Sequence, residues 1–198
     1  MATEPIAVLR PQRDPARRAA ILRAASRVFA QSGFAATSME DVAGAAGVTK
    51  LIVYRHFASK ESLYRSVLER VFERQVTLFV ENMAAGLEAG GATRALLSVG
   101  REYPDGFRLL WRHASREPQF AEYVHQFRDT AVGAARTVVE PFLAPELCEW
   151  AAQTLFDHVV DAVLNWLDYG DPGRDDAFVA FEAAALRETI RTWGRTST

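Results

Sequence analysis

The chain has 198 residues, of which 49% are hydrophobic and 24% are charged, as expected for a globular protein with room for a small head and a larger body. No apolar run approaches the roughly 18–20 residues that cross a bilayer, and the N-terminal residues lack the apolar segment of a secretory signal. Cys148 is the only cysteine and cannot form an internal disulfide, so we expect a cytoplasmic protein.

Charge is distributed unevenly along the chain. Residues 1–74 carry 12 lysines and arginines against 7 acidic residues, a net charge of +5, whereas residues 75–198 carry 11 against 18, a net charge of −7. A basic N-terminal part on an acidic remainder indicates that only the N-terminal part contacts a polyanion.

Helical patterns follow one another along almost the whole chain and predict an all-α protein. Residues 1–14 contain two prolines and scattered charges, which is typical of a flexible arm. Helix one is predicted from about Pro15 to Gln31, because Asp14 is a suitable N-cap and apolar residues recur at spacings of one, three and four. Gly33 is expected to end it.

Three further predicted helices follow closely. Thr37 and Ser38 each precede an acidic residue by three positions, the pattern of a capping box at the start of helix two. Gly47 can adopt the left-handed conformation that ends this helix. Helix three is predicted over about residues 50–57 and helix four over about residues 60–85.

Glycines at positions 86, 90 and 91 interrupt the pattern after helix four, and more helical segments follow. They are predicted near residues 92–102, 105–114, 118–140, 146–169 and 174–195. We therefore expect a small N-terminal head, residues 15–74, and a C-terminal bundle, residues 75–198, with the boundary inside helix four.

Helices two and three, joined by a tight glycine turn, have the signature of a helix-turn-helix. On a helical wheel, Val53 and Phe57 of helix three point toward the core, whereas Leu51, Ile52 and Arg55 point outward. Arg55 can donate two hydrogen bonds to a guanine edge, and Leu51 or Ile52 can pack on a thymine methyl group in a major groove. The alternative is that both aliphatic side chains pack on a neighbouring helix and the charges are merely solvated.

The residues from Ala20 to Leu68 resemble the DNA-binding domain of the TetR family of bacterial transcriptional regulators. The resemblance rests on ILRAASRVFAQSGFAATSMEDVAGAAGVTKLIVYRHFASKESLY, in which Gly-Phe, Thr-Ser, Val-Ala, Gly-Val, Tyr-Arg-His-Phe and Ser-Lys-Glu occur in register. It implies a homodimer that inserts helix three of each subunit into one half-site of an approximately palindromic operator. The residues implied to face DNA are Thr37, Ser38, Thr49, Lys50, Leu51, Ile52, Tyr54, Arg55, His56 and Lys60.

One position departs from the family pattern. Family members commonly carry a small residue and then threonine where this chain has Leu51 and Ile52. We therefore expect a base preference with more contact to thymine methyl groups than in relatives.

Aromatic residues are abundant in the C-terminal part. Two interpretations remain open, a plain core or a largely apolar cavity for a small effector, and the resemblance favours the cavity. The effector would then be apolar or aromatic. The residues predicted to line the cavity are Phe107, Trp111, His113, Phe120, Tyr123, Phe127, Phe156 and Trp166.

Neither a metal site, a cofactor nor an enzyme active site is expected. Among His113, His125, His158, Asp157 and Asp161, the pair His158 and Asp161 has the i, i+3 spacing of ligands on one helix face, and no cysteine assists. The chain also lacks a phosphate-cradling glycine loop and a nucleophile elbow.

The last two predicted helices carry more apolar surface than one core requires, which is typical of a subunit interface. Two such pairs would form a four-helix bundle across a two-fold axis. The predicted interface residues are Leu155, Val159, Ala162, Phe181, Ala185 and Ile190.

Together these patterns predict a ligand-responsive, sequence-specific DNA-binding regulator, a repressor that a small effector releases from its operator. The alternative is a helical ligand-binding or scaffold protein whose head no longer binds DNA. Lys50, Arg55 and Lys60 with their hydroxyl neighbours favour the regulator, and a steep salt dependence of DNA binding would distinguish the two.

Overall fold

A computed structural model of the chain describes residues 14–84 and 90–196, and these residues are helical with no strand. The helices are α1 Pro15–Ala36, α2 Met39–Ala46, α3 Lys50–His56, α4 Lys60–Ala84, α5 Gly91–Glu102, α6 Pro104–Arg108, α7 Pro118–Val139, α8 Pro145–Tyr169 and α9 Asp175–Thr196. The predicted all-α fold is confirmed, while the predicted arm lies outside the described residues except for Asp14. Within the described ranges, no helix combines the length and apolarity that spanning a membrane requires.

The N-terminal caps follow the local sequence signals. Asp14 accepts hydrogen bonds from the backbone of Ala16 and Arg17 at the start of α1. Ser38 and Asp41 form a reciprocal capping box at the start of α2. Gly47 ends α2 in the left-handed conformation with φ at 65°, as predicted.

One predicted boundary is confirmed and one is wrong. The regular part of α1 stops at Gly33, where φ is 77° and ψ is 166°, and a short turn over residues 34–36 follows this kink within the bounds of α1. The segment predicted as one helix over 105–114 is instead α6 followed by a π-helical turn, Leu109–His113, and a 3₁₀ turn, Ala114–Arg116. A π turn accommodates an additional residue in a helix, and hydrophobic periodicity does not reveal it.

A single core runs from the three N-terminal helices into the body. At the junction, Phe120 of α7 stacks on Tyr64 of α4, with ring centroids 4.3 Å apart, and meets Phe34 at the end of α1 edge-on at 5.0 Å. Tyr64 and Phe120 are each only 1% exposed. Helix α4 spans head and body, so these aromatic contacts link both parts without an intervening linker.

The body is a bundle in which α7 packs on α8 and α5 packs on α4, α8 and α9. Ion pairs tie its edges together. Arg101 of α5 binds Asp175 at the start of α9, and the indole nitrogen of Trp166 donates to the same carboxylate at 2.7 Å. Asp168 near the end of α8 accepts hydrogen bonds from Arg108 and Arg112. These contacts fix the π-helical segment and the first turn of α9 against α8.

Candidate nucleic-acid interface

The inward face of α3 holds this short helix on the head. Val53 has no exposed surface and Phe57 is 3% exposed, and both belong to the core that Val42 of α2 also enters. The backbone N–H of Val48 donates to the carbonyl of Ala43 at 3.0 Å, which closes the turn between the two helices. The predicted helix-turn-helix geometry is therefore present.

The outward face of α3 combines an aliphatic and a cationic side chain. Leu51 is 64% exposed, Tyr54 is 44% exposed, and Arg55 lies on the surface. Ile52 is half-buried and packs against the core, so the expectation that it points outward with Leu51 and Arg55 is met only in part. It precedes buried Val53 by one position, about 100° around the helix, and therefore lies at the margin of the buried face.

The polar groups at the start of α3 are also exposed. Thr49 precedes the helix, and its hydroxyl makes no capping hydrogen bond, which leaves it accessible to a phosphate. Lys50 donates a hydrogen bond to Glu40 of α2, and its ammonium lies 5.8 Å from the centre of the Tyr54 ring. The Glu40 partner was not predicted, because the two residues are ten positions apart and no local pattern joins them.

Two residues predicted to face DNA are engaged inside the head. Thr37 is 2% exposed, and its hydroxyl donates to the carbonyl of Gly33 at 2.7 Å. The Lys60 ammonium donates to the carbonyls of Phe34 and Thr37, both at 2.8 Å, and lies 4.3 Å from the centre of the Phe34 ring. Lys60 thus caps the C-terminal turn of α1, where the helix dipole favours a cation.

The remaining predicted contacts lie at the edges of this surface. Ser38 is half-buried, and its hydroxyl is occupied by the capping box with Asp41. His56 is the last residue of α3 and is half-buried beside Phe57, with ring centroids 6.4 Å apart. The accessible surface therefore centres on Thr49, Leu51, Tyr54 and Arg55, with Lys50 held by Glu40.

The eight residues predicted to line an effector cavity do not share one set of ring contacts. Phe127 stacks on Phe72 at 4.1 Å, whereas Trp111 meets Phe156 edge-on at 5.3 Å. The other members are placed as follows: Phe107 and Phe120 are buried, Tyr123 bonds to Glu69, Trp166 stacks on Phe178, and His113 is exposed. The residue as a whole is exposed, but partial loss of water around its ring, followed by the positive charges of Arg116 and Arg112, lowers the pKa of His113.

Two grooves occur elsewhere in the described part of the chain. One of about 480 Å³ lies between α5 and α9, and one of about 310 Å³ lies between α1 and α4. Neither is lined by any of the eight predicted cavity residues. Among the described residues, no three histidine, cysteine, aspartate or glutamate side chains come together as a metal site would require.

The predicted interface residues of α8 and α9 fall into three groups by exposure. Leu155 and Val159 are 8% and 7% exposed and belong to the chain's own core, which leaves little of their surface for a partner. Phe181 is 70% exposed, and Trp150 of α8, which lies beside Trp193 of α9 at 4.7 Å, is 53% exposed. The remaining three, Ala162, Ala185 and Ile190, are half-buried.

Comparison with known proteins places these features among bacterial regulators. Residues 21–67 match the family model described as bacterial regulatory proteins, tetR family. The transcriptional activator FasR of Mycolicibacterium smegmatis is 28% identical over 170 residues, which cover 82% of this chain and 78% of that protein.

Solved structures give the same fold. A TetR-like transcriptional regulator from Rhodococcus sp. RHA1 superimposes with a TM-score of 0.75 at 21% identity, over 88% of this chain and 95% of that chain. AibR in complex with isovaleryl coenzyme A and operator DNA superimposes with a TM-score of 0.65 at 16% identity, over 86% of this chain and 97% of that chain.

Proposed function

Because the chain belongs to the TetR family of bacterial regulatory proteins and is a helix-turn-helix transcriptional regulator, we propose that it is a homodimer that releases its operator when a small effector binds. The head, residues 15–74, would bind DNA, and the body, residues 75–198, would bind the effector and the second subunit. The observation that carries this proposal is the exposed pair of Leu51 and Arg55 on a helix whose opposite face is buried in the head.

The proposed DNA contacts follow from this geometry. Arg55 reads a guanine edge and Leu51 packs on a thymine methyl group, because both groups are presented in the major groove. Thr49 and Tyr54 donate to phosphates on either side, which positions the helix without selecting a sequence. Ile52, Lys50, His56 and Ser38 lie at the margin of the contact. Thr37 and Lys60 support the surface from within the head.

The second subunit is proposed to pack on α8 and α9. Phe181 and Trp150 are large apolar side chains exposed on these helices, and exposed apolar patches mark interaction surfaces. A two-fold axis there would bring the same surfaces together and hold two copies of α3 roughly 34 Å apart, one turn of DNA. Such spacing matches the half-sites of a palindromic operator.

The effector is proposed to bind near Trp111. The indole nitrogen of this residue is buried, and it has no hydrogen-bond partner among the described residues. Gln75 of α4, which is 8% exposed, has a buried amide oxygen that is likewise unpaired. Unpaired buried polar groups cost free energy, so an apolar ligand that also carries polar atoms would gain by satisfying them. The isovaleryl coenzyme A in the AibR structure has an apolar acyl chain and a thioester carbonyl that can accept a hydrogen bond, as the Trp111 N–H requires.

Release of DNA would follow from a shift of α4. This helix carries Gln75 in the body and Tyr64 in the head, and Tyr64 is stacked on Phe120. An effector that binds more tightly when α4 is displaced lowers operator affinity by the same factor through linkage. FasR is named an activator, and the position of the operator relative to the promoter would decide the sign of regulation here. We place the protein in the cytoplasm, where it reaches chromosomal DNA, and assign it no catalytic step.

The proposal is tested by selecting genomic fragments with the purified protein and measuring its affinity for a recovered fragment at several salt concentrations. We expect a palindromic sequence, a dimer at the binding concentration, and a slope of log K against log[salt] that reflects several phosphate contacts at about 0.9 each. No enrichment of any sequence, together with a flat salt dependence, would favour the scaffold alternative. Neighbouring genes then supply effector candidates for the release assay.

A further inference from the structure

We propose that Glu40 is a specificity-determining residue, which holds Lys50 away from DNA phosphates and thereby lowers the affinity for non-operator DNA. The inference rests on the proposed function, since it concerns the same surface. Its basis is the ion pair that joins the first turn of α2 to the first residue of α3.

The pair lies on the face that is proposed to approach DNA. The Lys50 ammonium donates to the Glu40 carboxylate, and the two side chains are 48% and 57% exposed. The hydrogen bond lowers the pKa of Glu40 and raises the pKa of Lys50, so both groups are charged at neutral pH. An exposed ion pair of this kind contributes little to the free energy of unfolding. If the pair has a role, we expect it in the affinity for DNA.

Helix dipoles explain why Lys50 turns toward α2. The N-terminus of α3 repels a cation on its first residue, whereas the N-terminus of α2 favours the anion Glu40. Arg55, at the other end of α3, forms no ion pair with any described residue. Helix α3 thus presents the unpaired cation Arg55 for base contact, whereas its other basic side chain at the first position, Lys50, is neutralised by Glu40.

Non-specific DNA binding depends mainly on how many phosphates a protein neutralises. A lysine that already has a carboxylate partner adds less to this term than an unpaired lysine. On the operator, base contacts by Leu51 and Arg55 fix the position of the protein, so Lys50 can reach only a phosphate that lies in that register. On other DNA the protein can shift until Lys50 meets a phosphate. Releasing Lys50 should therefore strengthen non-operator binding more than operator binding.

The test compares Glu40→Gln with the parent on a labelled 30-base-pair duplex of random sequence and on the selected operator fragment. Two released lysines per dimer should steepen the slope of log K against log[salt] on random DNA by up to about 1.8. The ratio of the variant's affinity for random DNA to that of the parent should therefore fall about 12-fold between 50 and 200 mM salt. The ratio of operator affinity to random affinity should fall. In a Lys50→Met background, Glu40→Gln should leave the slope unchanged.

Glu61→Gln is the matched control, because Glu61 is also an exposed acid in the first turn of a head helix but forms no ion pair with a described lysine. Equal effects of Glu61→Gln and Glu40→Gln would show a general loss of negative charge and overturn the inference. An effect of Glu40→Gln that persists in the Lys50→Met background would also overturn it. A parent that binds no duplex DNA at low salt would instead refute the proposed function itself.

Discussion

Replacing Lys60 by methionine separates a structural role of this lysine from a DNA contact. The variant loses an ammonium that donates to the carbonyls of Phe34 and Thr37 at 2.8 Å and to that of Ala35 at 3.4 Å, while its apolar stem still covers the Phe34 ring. A hydrogen bond to a charged group contributes about 1.5–3 kcal/mol, and this site is partly solvated. We expect a loss of about 2 kcal/mol in the free energy of unfolding, or about 4–8 °C in Tm.

The measurement is thermal and urea denaturation at one fixed protein concentration, since the stability of a dimer depends on concentration. Lys50→Met is the matched control, because Lys50 and Lys60 are the chain's only lysines and Lys50 lies on the surface. The control should leave the free energy of unfolding almost unchanged, because Lys50 and its partner Glu40 are both exposed. The salt slope of DNA binding should be the same in Lys60→Met as in the parent.

The opposite result would refute this reasoning. If Lys60→Met keeps the parent's Tm and lowers the salt slope by about 0.9 per subunit, the ammonium contacts a phosphate and does not cap α1. The head would then have to rearrange on DNA to release Lys60 from the two carbonyls.

Three further substitutions test other parts of the molecule. Arg55→Ala should cost about 1–3 kcal/mol at one base pair of the operator and relax selection there, and equal losses on operator and random DNA would contradict base readout. Phe120→Leu removes two aromatic pairs at the junction and should lower the free energy of unfolding by about 1–3 kcal/mol, which calorimetry would show; an unchanged Tm would mean that the junction does not couple head and body. Asp175→Asn tests pH dependence. The hydrogen bond from Arg101 lowers the pKa of Asp175 in the folded protein. The stability that this carboxylate contributes is therefore present above its unfolded-state pKa and is lost as the pH falls through its folded-state pKa. The urea midpoints of parent and variant should differ at pH 7 and converge below the ordinary aspartate pKa of about 3.9, and a gap that persists in acid would count against this account.

Local signals in the sequence were sufficient for most of the fold. Ser38 and Asp41 mark the start of α2 within four residues, and Gly47 ends it, because caps and turns depend on neighbours in the chain. The burial of Val53 and the exposure of Leu51 follow from helical periodicity in the same way.

Contacts between residues far apart in the chain could not be predicted from local sequence signals. Lys60 binds a carbonyl 26 residues away, and Lys50 binds a carboxylate ten residues away, so neither partner could be read from local spacing. The aromatic residues of the body were recognised as a set, but which of them stack together depends on how α4, α7 and α8 pack. For this reason the cavity assignment stays a prediction, whereas the helix-turn-helix is confirmed.

The stacking of Phe120 on Tyr64 and Phe34 limits how this regulator can be re-engineered. A head excised after residue 74 would expose an aromatic surface that α7 normally covers, so it should aggregate or lose its shape. Joining this head to the body of another regulator would require an aromatic side chain at the position equivalent to Phe120. Chimeras without this aromatic side chain would pack poorly where head and body meet, even if α3 and the effector-binding region were unchanged.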